Sequence, residues 1–170
     1  SVVNSGGVLI NNRDGGIGDG YDITVNGACT LSGSDIVTGD YTVTLGPSAT
    51  LVESAGNTVL GKATTTRTVG QSVPEMFGGI GLELTASGAA RVGTTVHRVT
   101  GSAKTLAGSA GIKRYFDIVP SVNTGLNATA VFHYDESELN GIDEAALTLY
   151  SITRGGIAQE NLGGTVDASG

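Results

Sequence analysis

The chain has 170 residues, including 28 glycines and three prolines, and its nine basic and sixteen acidic side chains give a net charge of −7. This acidic balance argues against binding to nucleic acid or to an anionic membrane surface. A single cysteine excludes an internal disulfide and a cysteine-rich metal site. Because glycine favours tight turns and the abundant Thr and Val favour strands, we expect an all-β fold.

No run of eighteen apolar residues occurs in the sequence, so we expect no insertion into a membrane. The first residue is Ser1 rather than Met, which suits a mature or excised chain. These two features predict an extracellular or cell-surface location.

Three aspartates lie close together in the turn-rich first part of the chain: Asp14, Asp19 and Asp22. Carboxylate oxygens at this separation could bind Ca²⁺ together with backbone carbonyls. Their spacing matches neither an EF-hand loop nor a nonapeptide repeat, and aspartate is also an ordinary turn residue. They form the candidate metal site of the sequence, and we expect no other cofactor.

A repeat with a period of twenty residues begins at Tyr21, where YDITVNGACTLSG aligns with YTVTLGPSATLVE from Tyr41. The alignment pairs apolar or small residues at alternate positions: Ile23 with Val43, Val25 with Leu45, Cys29 with Ala49, and Leu31 with Leu51. A period this short is typical of β-solenoid coils. We predict a solenoid-like unit over residues 1–60, a buried and inert Cys29 thiol, and an insertion of about two residues before Val59 in the second copy.

Six longer segments with strand character follow in residues 61–170: KATTTRTV, GIGLELTA, TTVHRVTG, IKRYFDIVP, NATAVFHYD and EAALTLYSIT. This spacing predicts an antiparallel β-sandwich, either as a second domain or continuous with the first. Period-two alternation places Ala128, Ala130, Phe132 and Tyr134 on one face, and Ile112, Arg114, Phe116 and Ile118 on another. Residues 143–147 could also open a helical turn, although we favour a strand there.

Aromatic residues concentrate in this second half, and we expect them to form its core: Tyr115, Phe116, Phe132, Tyr134 and Tyr150. Replacement of Phe132 by Ala would then cost about 3 to 5 kcal/mol.

Motifs for catalysis are weak throughout the sequence. Residues 56–63 nearly spell a P-loop, but Ala63 replaces the Mg²⁺ ligand and a β-prone run follows where a helix is needed. His97 and His133 lie within strand patterns, as cross-strand polar residues would. An acidic group surrounds the Asn140–Gly141 turn and suits a solvated hairpin end. We expect no enzymatic activity.

An ordered set of segments resembles a β-rich module of large Bacteroidetes-type secreted surface proteins: GNTVLGKATTTRTVG, FGGIGLELTASGAA, TTVHRVTG, GIKRYFDIVP, GLNATAVFHYDESELNG and LGGTVD. In that family the module follows adhesin-like β-solenoid repeats and precedes a C-terminal secretion-sorting domain. The resemblance implies an extracellular, non-catalytic structural role, and it transfers no catalytic residue to this chain.

Two other functions remain open from the sequence. Family members continue after LGGTVD with another strand, whereas this chain stops at Gly170, so residues 1–10 could fill an open edge of a neighbouring copy and build a filament. The competing interpretation makes residues 1–10 part of the preceding solenoid coil. The second of these functions is a calcium-dependent module that binds surface glycans.

Overall fold

The structure is a computed structural model that describes residues 2–4, 9–10, 21–88, 92–106, 108–152 and 159–167. The predicted all-β class is confirmed, because the regular elements of these residues are strands and short 3₁₀ turns. The turns span Phe77–Gly79, Glu136–Glu138 and Glu144–Ala146. The strands, in chain order, are β1 (Val2–Asn4), β2 (Leu9–Ile10), β3 (Ile23–Val25), β4 (Ala28–Leu31), β5 (Ile36–Leu45), β6 (Thr50–Glu53), β7 (Val59–Val69), β8 (Leu82–Ala86), β9 (Val92–Thr100), β10 (Thr105–Leu106), β11 (Ser109–Ala110), β12 (Arg114–Pro120), β13 (Ala128–Phe132), β14 (Leu149–Ile152) and β15 (Gln159–Gly163).

The strands of the repeat pair in parallel with the predicted twenty-residue offset. β3 lies beside β5, which places Ile23 opposite Val43 and Val25 opposite Leu45, as the alignment predicts. The same offset continues into β7, where Val43 is opposite Ala63. Val43 and Ala63 are buried, and so are Val25 and Leu45, so the inward positions of neighbouring strands stack in two rows.

The predicted pairing of Cys29 with Ala49 is wrong, because β4 and β6 pair with an offset of twenty-two residues. Cys29 lies opposite Leu51, and Leu31 lies opposite Glu53. The reason is the turn before each strand: residues 26–27 precede β4, whereas residues 46–49 precede β6. A shift of two residues preserves the inward face, and Cys29 is fully buried, as predicted.

An insertion before Val59 is also present, since Ile36 lies opposite Val59. A register shift in β5 between Val37 and Thr42 then restores the twenty-residue offset. The backbone of β1 pairs in parallel with β4, and that of β2 pairs in parallel with β5. Residues 2–4 and 9–10 therefore pair within their own chain.

Pairing changes direction at β7, which is parallel to β5 on one side and antiparallel to β9 on the other. β9 in turn pairs antiparallel with β12, and β8 pairs antiparallel with β13. β10 with β11 and β14 with β15 form two further antiparallel pairs. The boundary drawn at residues 60 and 61 lies inside β7.

One hydrophobic cluster joins the parallel strands to the antiparallel ones. It contains Leu31 and Leu51 of the β4–β6 sheet, Val59 of β7 and Val96 of β9, together with Leu82 of β8. The predicted alternation along β12 and β13 agrees with the register, because alternate residues of β12 lie opposite Thr100, Arg98 and Val96 of β9, and alternate residues of β13 lie opposite Ala86, Leu84 and Leu82 of β8.

The predicted aromatic core of the second half is wrong. Phe116 and Phe132 are half-buried at the border of the cluster, with ring centroids 5.4 Å apart. Tyr115, Tyr134 and Tyr150 are likewise half-buried. The fully buried hydrophobic residues instead lie mostly on the parallel strands, joined by Phe77, Leu82 and Val96.

The strand expected at residues 143–147 is wrong. Glu144–Ala146 is a 3₁₀ turn, because the Asp143 side chain accepts a hydrogen bond from the Ala145 N–H and caps it. No helix in the described part of the chain is long and apolar enough to cross a membrane.

Candidate functional site

The most unusual buried group is Arg98, which lies on the inward face of β9 and has no exposed surface. Its Nη1 donates a hydrogen bond of 2.7 Å to Oε2 of Glu53, and its Nη2 donates one of 2.7 Å to Oε1. Glu53 ends β6. This bidentate ion pair therefore joins the parallel half of the molecule, β1 to β7, to the antiparallel half, β8 to β15. Such a pair has both strength and directional specificity.

Glu53 receives further hydrogen bonds from the chain that leads into β7. The Thr58 hydroxyl donates to Oε1 at 2.7 Å, and the Val59 N–H donates to the same atom at 2.8 Å. Burial acts to raise the pKa of Glu53, but the hydrogen bonds and charge of Arg98, followed by the Val59 and Thr58 hydrogen bonds, outweigh it and lower the pKa. Glu53 is therefore ionised at neutral pH and unsuited to act as a general acid.

A second ion pair lies beside the first. Arg114 of β12 donates from Nη2 to Oε1 of Glu138 at 2.7 Å and from Nη1 to the His133 carbonyl at 3.0 Å. Its Nη2 is also 3.9 Å from Oε2 of Glu53. Glu138 is only 4% exposed. We call Glu53, Arg98, Arg114 and Glu138 the junction network; its two positive and two negative charges balance.

A groove of about 450 Å³ lies next to the junction network, between the residues that follow β6 and those that follow β13. Its polar groups are largely bonded to the protein itself. Asp35 accepts a hydrogen bond of 2.8 Å from the Thr58 N–H, and Asp135 accepts one of 2.9 Å from the Gly56 N–H. These bonds fix the loops that form the walls.

Asp135 also caps the 3₁₀ turn at Glu136–Glu138, since it accepts hydrogen bonds from the Ser137 N–H and hydroxyl. The Ser137 hydroxyl, the Gly56 N–H and the Ser137 N–H together lower the pKa of Asp135 against the effect of burial. Asp135 thus ties the C-terminal half to the turn between β6 and β7, and it does so as a carboxylate.

The candidate calcium residues are only partly described. Asp14 and Asp19 lie outside the described residues. Asp22 accepts a hydrogen bond of 2.9 Å from the Thr42 N–H, which links two neighbouring strands of the parallel stack. Among the described residues, no three His, Cys, Asp or Glu side chains are arranged to hold a metal ion. The calcium site stays a prediction.

The other motifs take structural positions. The Gly56 N–H is bonded to Asp135, and β7 rather than a helix follows the P-loop-like sequence. His97 is a cross-strand residue, as predicted, with Nδ1 2.9 Å from the Thr64 hydroxyl. The acidic residues around the Asn140–Gly141 turn have different partners. Glu138 pairs with Arg114, and Glu144 accepts a hydrogen bond of 2.8 Å from the Tyr134 hydroxyl.

The sequence interpretation missed Arg98 and Glu53 as partners. One signal for Arg98 was available: Val96, Arg98 and Thr100 share the inward face of β9, so alternation alone places a charge in the core. No pattern in the sequence points to Glu53, which lies 45 residues earlier.

Comparison with protein-family models, with curated proteins and with solved structures finds no match to this chain.

Proposed function

We propose that the chain is a non-catalytic structural module that ends a short β-solenoid with an antiparallel β-sandwich cap, as part of an adhesin-like bacterial surface or secreted protein. The observation that carries this proposal is the pairing of β7. One edge of β7 pairs with the parallel strand β5, and the other edge pairs with the antiparallel strand β9. Stacked coils need such a terminal element, because an uncovered last strand would pair with other chains.

The spacing of the parallel strands supports the solenoid. Paired residues of neighbouring parallel strands are twenty to twenty-three positions apart in the sequence. This offset holds for β4 with β6 in one sheet and for β3, β5 and β7 in the other. Each coil would thus contribute one strand to each sheet and bury its inward side chains against the next coil. The first coil would begin at β1.

The junction network supports a cap that is fixed rigidly to the last coil. Glu53 belongs to the last parallel strand of its sheet, whereas Arg98 and Arg114 belong to the antiparallel strands. The groove also suits a structural role, since its carboxylates Asp135 and Asp35 are hydrogen-bonded to neighbouring backbone N–H groups. The extracellular setting is proposed from the sequence, chiefly from its resemblance to secreted surface proteins.

Duplication of one coil tests the proposal. A second copy of residues 28–49 inserted after Ala49 should fold cooperatively and lengthen the particle by about 4.8 Å, the spacing of paired strands. Small-angle scattering measures the length and thermal melting measures cooperativity. As a control, duplication of residues 92–113, a segment of equal length from the antiparallel half, should prevent cooperative folding. A coil duplication that unfolds the protein while the control folds normally would reject the solenoid and its cap.

A further inference from the structure

Within the described part of the chain, β13 has one edge without a strand partner, which we call its free edge. Its residues pair with β8 from Ala128 opposite Ala86 to Phe132 opposite Leu82. No strand of the described residues pairs with the other edge. Residues 128–131 are exposed on both faces of the strand, so a further strand would meet no obstacle from the side chains of β13.

Hydrogen bonds at the two ends of β13 fix which backbone groups face outward. The Ser87 N–H donates to the Asn127 carbonyl at 3.3 Å, and the His133 N–H donates to the Gly81 carbonyl at 2.9 Å. In an antiparallel pair such contacts recur at every second residue. The odd-numbered residues therefore bond to β8, and the N–H and C=O groups of Ala128, Ala130 and Phe132 point outward.

The free edge lacks the features that usually prevent strand addition. Charged side chains and proline protect sheet edges. β12, the edge of the large sheet, carries Arg114, Asp117 and Pro120, whereas β13 has the sequence ATAVF with neither a charge nor a proline. In a chain of net charge −7, this uncharged strand is a local surface on which two copies meet without direct repulsion.

We propose that β13 is a homodimer interface, in which it pairs antiparallel with β13 of a second copy around a two-fold axis at Ala130. This register places each Phe132 beside the partner's Ala128, a large residue against a small one, and Ala130 beside the partner's Ala130. The result is a continuous sheet of four strands in the order β8, β13, β13, β8. The pairing is isologous, as in most dimers, and it does not depend on the proposed solenoid function.

Proline at position 130 tests the interface. Ala130→Pro removes the outward N–H and leaves the bonds between β13 and β8 in place, so the variant should fold. Loss of the two hydrogen bonds at the axis should raise the dimer Kd about ten- to a hundredfold in sedimentation velocity over a dilution series. Ala130→Thr keeps the N–H and should dimerise as the parent does. Ala130→Lys, which places like charges at the axis, is a second disrupting variant if the proline alters the melting temperature.

Cross-linking tests the register. Across an antiparallel hydrogen-bonded pair the Cα atoms lie about 5.5 Å apart, within disulfide range. Ala130→Cys should therefore form a covalent dimer under mild oxidation, whereas Val131→Cys, displaced from the axis, should do so far more slowly. A parent protein that stays monomeric at every concentration overturns the proposal. So does a dimer that survives both Ala130→Pro and Ala130→Lys, since it must use another surface.

Discussion

Arg98 and Glu53 are 45 positions apart in the sequence, yet two hydrogen bonds of 2.7 Å join both oxygens of the carboxylate to the guanidinium. The pair connects the last strand of the parallel sheet formed by β1, β4 and β6 to the second strand of the antiparallel half. Because Arg98 is completely buried, neither side chain can be replaced without consequence for the other.

Removal of one partner should destabilise the fold strongly. Arg98→Met leaves Glu53 without its main counter-charge, and Glu53→Gln leaves Arg98 as an uncompensated buried charge, so each should cost about 3 to 5 kcal/mol in the free energy of unfolding. The double variant should cost clearly less than the sum, because no charge is then left unpaired. Urea denaturation measures all three. Exposed Lys113→Met serves as the control, and additive effects would contradict the coupling.

Stability should fall in acid. The pKa values of Glu53 and Asp135 are both lowered in the folded chain, so each carboxylate binds protons more readily when unfolded. Their stabilising contribution is complete above the ordinary carboxyl pKa of about 4 and is lost as the pH falls through the lower folded values. Denaturation at a series of pH values from neutral to about 3 measures the effect. In Asp135→Asn the acid dependence should become shallower; an unchanged slope would show that Asp135 contributes nothing.

Phe77 and Phe132 should contribute differently to the free energy of unfolding. Phe77 is fully buried in the hydrophobic cluster, whereas Phe132 is half-buried beside Phe116. Phe77→Ala should therefore cost about 3 to 5 kcal/mol, and Phe132→Ala should cost about 1 to 2 kcal/mol, since less area returns to water. Thermal and urea unfolding of both variants test the order. A larger loss for Phe132 would restore the aromatic core that the sequence suggests.

The Cys29 thiol should resist modification. Burial, and then the nearby negative charge of Glu53, raise the pKa of Cys29, and the thiolate is the reactive form. Reaction with Ellman's reagent under native conditions should thus be slow and should accelerate on unfolding. A Ser102→Cys substitution in a Cys29→Ala background provides an exposed thiol for comparison. Equal native rates at the two positions would mean that the parallel stack opens readily.

Much of the local structure follows from the sequence alone. The all-β class comes from glycine turns and β-branched residues, and the offset of Ile23 to Val43 follows from an alignment of two short segments. Alternation also groups the residues of β12 and β13 by face as the register shows. These features depend on neighbours in the sequence or on a repeat, so the pattern of apolar residues is sufficient to determine them.

The remaining features depend on contacts between distant segments, and only the tertiary structure decides them. The two-residue difference between turns 26–27 and 46–49 shifts Cys29 from Ala49 to Leu51, because backbone geometry rather than side-chain similarity sets the register. The deep core is formed mostly by aliphatic residues of the parallel strands, whereas Phe116 of β12 and Phe132 of β13 lie at its border. Glu53 becomes the partner of Arg98 because a buried charge requires an opposite charge at short range. Only the fold brings β6 and β9 close enough for this pairing.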